Sequence, residues 1–146
     1  MNRLRACALA DVEAMAQLES RASAYPWSET QYREALLAGN QGWGLAQQDK
    51  LIGCALTMSV LDEAELLNLL IEPQQQGQGL GKTLLQYLMQ QLRQQGIARL
   101  LLEVRASNQR ARALYQHTGF RETGLRKHYY RSDDGREHAI LMEAAL

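Results

Sequence analysis

The chain has 146 residues, 46% of them apolar, which suits one packed domain over residues 1–146 and argues against wholesale disorder. Its 16 lysines and arginines are balanced by 16 aspartates and glutamates, a zero net charge that argues against a protein gripping many nucleic-acid phosphates. No apolar run approaches the ~20 residues needed to cross a bilayer, and the stretch between Arg5 and Asp11 is too short for an export signal, so a soluble cytoplasmic protein is expected.

Residues 4–8 read as a short first strand. Asp11 opens a helix in which Val12, Met15, Ala16, Leu18 and Glu19 fall near helical spacing. Pro26 interrupts it, and Ser28 restarts a helix to residue 37 by accepting bonds from the free amides there. The period then shortens: residues 43–47, 51–60 and 63–72 read as three strands joined by short turns. Leu66 to Ile71 is apolar on both faces except at Asn68, as a central strand requires. Residues 80–95 form a helix with Leu84, Leu85, Leu88 and Leu92 on one stripe, closed by Gly96. A strand at 99–104, a short helix opened by Asn108 and closed by Gly119, and a hairpin of 120–130 with 136–143 around Asp133-Asp134-Gly135 complete the chain. Cys7 and Cys54 read as small apolar strand residues. With His117, His128 and His138 they form no metal-ligand pattern, so no metal is expected.

Between the third of these strands and the long helix lies QGQGLGK, with three glycines in five residues. A strand, a glycine turn and a helix N-terminus form an anion site, because the first helical amides have no partner within the helix. Three phosphate loops compete. The nucleotide-triphosphatase pattern GxxxxGK with Ser or Thr fails because Gln76 stands at its first glycine. The dinucleotide pattern GxGxxG does not match the spacing of Gly77, Gly79 and Gly81. A pattern of Gln or Arg, two residues, Gly, one residue and Gly fits residues 76–81 throughout. The plain alternative is a glycine turn that holds nothing.

Two further residues carry chemistry. Glu103 follows three leucines; either desolvation favours its protonated form, or it pairs with Arg105 or another cation. Tyr115 lies on the stripe Ala111, Leu114, Tyr115 and Thr118, which faces the sheet, where a tyrosine is either core or catalytic.

The glycine pattern after an apolar strand resembles the acetyl-coenzyme A loop of the GNAT superfamily of N-acetyltransferases. NxxARALYxxxGF resembles that superfamily's second motif, and the order of elements resembles its fold over the whole chain. AYPWSE at 24–29, LDEAELLNL at 61–69, LEVRASN at 102–108, Tyr129-Tyr130 and Asp134-Gly135-Arg136 are similar to the ribosomal-protein-alanine N-acetyltransferases within it. The resemblance implies a single α/β GNAT domain. It implies a mixed, mostly antiparallel sheet of about seven strands with about four helices, splayed at its central parallel strands to admit acetyl-coenzyme A.

It also implies roles. Gln76, Gly77, Gln78, Gly79, Leu80, Gly81 and Lys82 would cradle the coenzyme pyrophosphate; Leu69, Leu70 and Ile71 would pair with its pantetheine arm; Asn108 would touch the coenzyme. Glu103 would be general base and Tyr115 general acid in direct transfer. Tyr25, Pro26, Trp27, Tyr129 and Tyr130 either line the acceptor slot or pack. Asp62, Glu63 and Glu65 would attract a basic peptide or form a solvated turn. The implied partner is the N-terminal alanine of the eighteenth protein of the small ribosomal subunit, with no direct nucleic-acid or membrane contact. Gly77 stands where arginine is common in the loop, and Leu70-Ile71 replaces a smaller pair. A small-molecule or lysine acceptor, or an acyl-coenzyme A sensor that transfers nothing, are the competing functions.

Overall fold

Switches of hydrophobic period set the order of elements. The computed structural model describes residues 2–132 and 135–146. In chain order it contains β1 (Asn2–Cys7), α1 (Val12–Ala22), α2 (Glu29–Leu37), β2 (Gln41–Gln47), β3 (Lys50–Val60), β4 (Glu63–Ile71), α3 (Leu80–Gln94), β5 (Arg99–Arg105), α4 (Gln109–His117), β6 (Arg121–Ser132) and β7 (Gly135–Ala145). Short 3-10 turns occupy Leu9–Asp11 and Pro73–Gln75. Asp133 and Asp134, expected in the last turn, lie outside the described residues.

Among the described residues the strands form one seven-stranded sheet in the order β1-β2-β3-β4-β5-β7-β6. Every neighbouring pair is antiparallel except β4 with β5. That pair needs a crossover, and α3 supplies it. Its leucine stripe (Leu84, Leu85, Leu88, Leu92) is fully buried with Leu66, Leu100, Leu102 and Met142 on one face of the sheet, where α4 adds Tyr115. Burying each such leucine contributes about 1.5–3 kcal/mol. The opposite face is covered only in part: Val12, Met15 and Leu18 of α1 and Tyr32 of α2 pack over Cys7, Cys54 and Leu56. Both cysteines are free and buried. Ser28 begins α2 by a reciprocal cap: its Oγ accepts from the Gln31 amide at 3.1 Å, and Gln31 Oε1 accepts from the Ser28 amide at 2.8 Å.

β2 begins two residues earlier than its period suggests, because Gly42 must lie beneath Cys7. A Cβ on Gly42 would come within 2.9 Å of the Cys7 Cβ. β6 and β7 also run longer than expected.

The feature that positions the site is a bulge. Asn68 opposes Leu56 while Leu66 opposes Thr57, so Leu67 is an extra residue in β4. A bulge bends a strand and increases its twist. β4 and β5 pair only over residues 63–66 and 99–102. Beyond them β4 keeps β3, β5 keeps β7, and a wedge opens between the two. The implied splay of the central parallel pair is therefore present. Among the described residues no helix is long and apolar enough to cross a membrane.

Candidate active site

The wedge continues into a cleft of about 1070 Å³. Its floor is the edge of β4 that β5 has left, at Leu69, Leu70 and Ile71. The loop into α3 closes one end with Gln76, Gly77, Gly79, Leu80, Gly81 and Lys82. Asn108 and Tyr25 face it from α4 and from the connection between α1 and α2. Of the expected coenzyme-binding residues, Gln78 alone is not part of this wall; it is exposed on the loop.

Gly77 and Gly79 adopt φ of 84° and 79°, which favour glycine. Nothing lies within 4 Å of a Cβ placed on Gly79, so there backbone conformation and not crowding demands the glycine. The amides that follow are bare. Ser28 and Asn108 cap α2 and α4 with their side chains, whereas the N-cap of α3, Gly79, has no side chain to do so. Gln76 braces the loop: its Nε2 donates to the Ile71 carbonyl at 3.0 Å and its Oε1 accepts from Arg110 at 2.9 Å. Arg21 fastens the end of β4 from α1 through Glu72 at 2.7 Å and holds that carboxyl below its usual range. Uncapped amides, an apolar strand edge and the cations Lys82, Arg110 and Arg136 along one wall fit a long ligand that carries phosphate.

Glu103 lies elsewhere. Leu100, Leu102 and Val104 point into the core, so Leu101, Glu103 and Arg105 occupy the opposite face of β5. Glu103 lines a second groove, of about 310 Å³, with Glu65, Leu101 and Leu141. Its Oε1 is 3.2 Å from Arg126 Nη2. The cation partner is thus Arg126 of β6 and not the neighbouring Arg105. Arg105 pairs with Glu137 at 2.9 Å, and its guanidinium sits 4.1 Å from the Tyr25 ring centroid and 4.4 Å from that of Tyr130. Arg105 borders the cleft, and Glu103 is two residues, or about 7 Å, back along the same strand. The Tyr25–Arg105–Tyr130 stack thus stands at the end of the cleft from which β5 leads back to Glu103. Burial, then the Glu103 charge, push the Tyr130 phenol up to about 12. Tyr129 is exposed, with Arg126 at 5.1 Å from its ring.

Tyr115 lies on the far face, 8% exposed, with Phe120 at 5.5 Å between ring centroids. Burial first, and Tyr130 second, raise its phenol above the ordinary range, so it keeps its proton at neutral pH. It lines neither cavity. Trp27 lines neither as well; it packs on Tyr32 at 5.5 Å.

Arg110 and Arg126 carry no motif of their own, whereas LEVR puts Arg105 on the same strand face as Glu103. Also unforeseen is a buried carboxylate. Glu19, 3% exposed, accepts from Tyr32 Oη at 2.5 Å and Asn68 Nδ2 at 3.1 Å. It ties the β4 bulge to both helices of that face. Its place on the Met15–Leu18 stripe was the available signal.

Residues 12–120 match the acetyltransferase (GNAT) family. The chain belongs to that family. It is 44% identical to the ribosomal protein bS18-alanine N-acetyltransferase of Escherichia coli over 147 aligned residues, covering 97% of this chain and 96% of the relative. The crystal structure of the ribosomal-protein-S18-alanine N-acetyltransferase from Escherichia coli superposes with a TM-score of 0.95 at 42% identity, over 99% of this chain and 94% of that one. A more distant GNAT structure shares the fold: the PaiA N-acetyltransferase of Thermoplasma acidophilum, in complex with coenzyme A, at TM-score 0.81 and 18% identity, covering 100% of this chain and 99% of that one.

Proposed function

We propose that the protein transfers acetyl from acetyl-coenzyme A to the α-amine of a protein N-terminal alanine, with the bS18-type ribosomal protein as acceptor. The observation that supports the transfer is the wedge between β4 and β5, which opens beside an uncapped helix N-terminus, with Glu103 two residues back along β5 from the cleft-lining Arg105. The full-length relatedness to bS18-alanine acetyltransferases supports the acceptor. Coenzyme A in a GNAT structure of the same fold supports the donor.

Acetyl-coenzyme A supplies an acyl group activated by a thiol leaving group. The amides from Gly77 to Lys82 hold its diphosphate, with Gln78 supporting the loop from outside, and Asn108 borders the same cleft. The β4 edge at Leu69, Leu70 and Ile71 offers peptide groups to the pantetheine amides, and a donor there stabilises the developing oxyanion where water is excluded. At neutral pH an α-amine, with a pKa of ~8, is mostly ammonium. Glu103, oriented by Arg126, takes the proton. Tyr115, still protonated and next to the cleft-lining Leu114 on α4, is the donor assigned to the departing sulfur, which it must reach from behind that wall. Tyr25, Tyr129 and Tyr130 flank the acceptor's approach, whereas Trp27 supports α2. Burial pushes the Cys7 thiol up to about 12, which leaves it a poor nucleophile and favours direct attack by the amine.

The test mixes protein, acetyl-coenzyme A and peptides that differ in their first residue, following thiol release and fragment masses. Acetyl on the first nitrogen of alanine peptides is expected. Acetyl on lysine side chains or faster turnover of free polyamines would contradict the acceptor, and coenzyme binding without thiol release from any amine would contradict the transfer.

A further inference from the structure

The groove of Glu103 holds a second carboxylate. Ala64 and Leu66 point into the core, so Glu65 shares the open face of β4 with Glu63. Glu65 is in register with Leu101, two residues before Glu103 on β5, and both carboxylates line the same groove. The remaining charges there are accounted for. Glu63 pairs with Arg99, Arg126 pairs with Glu103, and Tyr130 stacks on Arg105. β3 presents Met58 and Val60 and β7 presents Leu141, all apolar, and β6 adds the uncharged Thr123. Among the described residues Glu65 has neither an ion pair nor a side-chain hydrogen bond.

Charge balance gives this arrangement a meaning. Glu103 with Arg126 is neutral, and a neutral pair attracts an ammonium weakly. Glu65 adds one negative charge in a groove walled by apolar side chains, so two carboxylates and one guanidinium are completed by one incoming cation. We propose that Glu65 is a further catalytic residue: with Glu103 it forms a two-carboxylate seat that binds the acceptor's α-ammonium and shares the proton it gives up. This rests on the reading that an amine is acetylated at Glu103.

The step balances. One N–H bond breaks and its electron pair stays on nitrogen for attack on the acyl carbon. The proton forms an O–H bond on one of the two carboxylates. The proton later leaves to solvent. Two carboxylates facing one groove favour holding one proton between them. The Glu65 carboxyl is raised by burial first and by the Glu103 charge second, against Arg126.

The experiment compares wild type with Glu65→Gln and Glu65→Asp on an alanine peptide across pH 6–9. Glu65→Gln is expected to lower kcat/KM at least about tenfold at pH 7, and the deficit should narrow toward pH 9, where the amine is already neutral. KM for acetyl-coenzyme A should not change, and Glu65→Asp should recover part of the loss. The Glu103→Gln, Glu65→Gln double variant should lose less than the product of the two single losses. Independently of turnover, carbon-13 titration of the Glu65 carboxyl should show its midpoint fall when Glu103 becomes Gln. A wild type that acetylates no peptide would sink the acceptor reading alone, and the titration would still judge the pair. A kcat/KM unchanged in Glu65→Gln, a loss equal at every pH, or a Glu65 midpoint indifferent to Glu103 overturns the proposal.

Discussion

Arg126, 3.2 Å from Glu103 Oε1, gives the side chain proposed as the base a fixed direction. Glu103→Gln keeps the size and removes the proton acceptor. At pH 7 kcat should fall by about 10²–10³, and part should return near pH 9 because the acceptor amine then sheds its own proton. Tyr115→Phe should lower kcat with KM for acetyl-coenzyme A unchanged and no such recovery, since the phenol is already protonated throughout that range. Steady-state rates across pH separate the two; identical pH profiles would contradict the division of roles. Both residues were singled out from sequence, one by its apolar strand and one by its helical stripe. The partner of Glu103 was not legible, because Arg126 comes from β6, beyond β7, and no local spacing reports that approach. Glu65 was read only as part of an acidic turn, since its role needs β5 beside it.

At the scale of elements, the loop before α3 is the part proposed to hold the coenzyme, and its conformation is set locally. That is why glycine spacing alone was informative there. The bulge at Leu67 was not, because it is defined by the register of β3 and is anchored by Glu19 and Tyr32 through Asn68. The loop can be tested against an internal control. Gly79 and Gly96 have φ of 79° and 88°, and neither has an atom within 4 Å of an added Cβ. Alanine at either should cost a comparable ~1–2 kcal/mol of stability from the left-handed backbone. Only Gly79→Ala brings a methyl to the cleft, so KM for acetyl-coenzyme A should rise at least about tenfold in that variant and stay unchanged in Gly96→Ala. Thermal melts with initial-rate kinetics check this; equal KM effects would mean that the loop does not touch the coenzyme.

Across the whole molecule, α3 and α4 cover one face of the sheet, α1 and α2 partly cover the other, and the wedge opens between β4 and β5. The order of elements was legible because each hydrophobic period is written locally, whereas the long β6–β7 hairpin and the opening of the wedge depend on tertiary pairing. The same burial sets the pH range of the fold. Cys7, Cys54, Tyr32, Tyr115 and Tyr130 all hold their protons more tightly folded than unfolded. Their contribution is complete below the unfolded thiol range and is lost as pH rises past ~8.5 for thiols and ~10 for phenols. Asp11, beside Arg5, and Glu72, beside Arg21, titrate below their usual range, so their contribution is present above ~4 and is lost as pH falls. Tm should therefore be level from about pH 5 to 8 and decline on both sides; a Tm that holds steady to pH 10.5 would contradict the buried thiols and phenols.

The grip on the coenzyme is tested most directly by titrating nitrogen-15-labelled protein with coenzyme A and following each backbone amide. The largest shifts are expected at residues 77–82 and along 69–71, with Gly96 silent. Amides of the loop that stay still while the coenzyme binds elsewhere would contradict the placement of the thioester in the wedge, and with it the route from the cleft to Glu103.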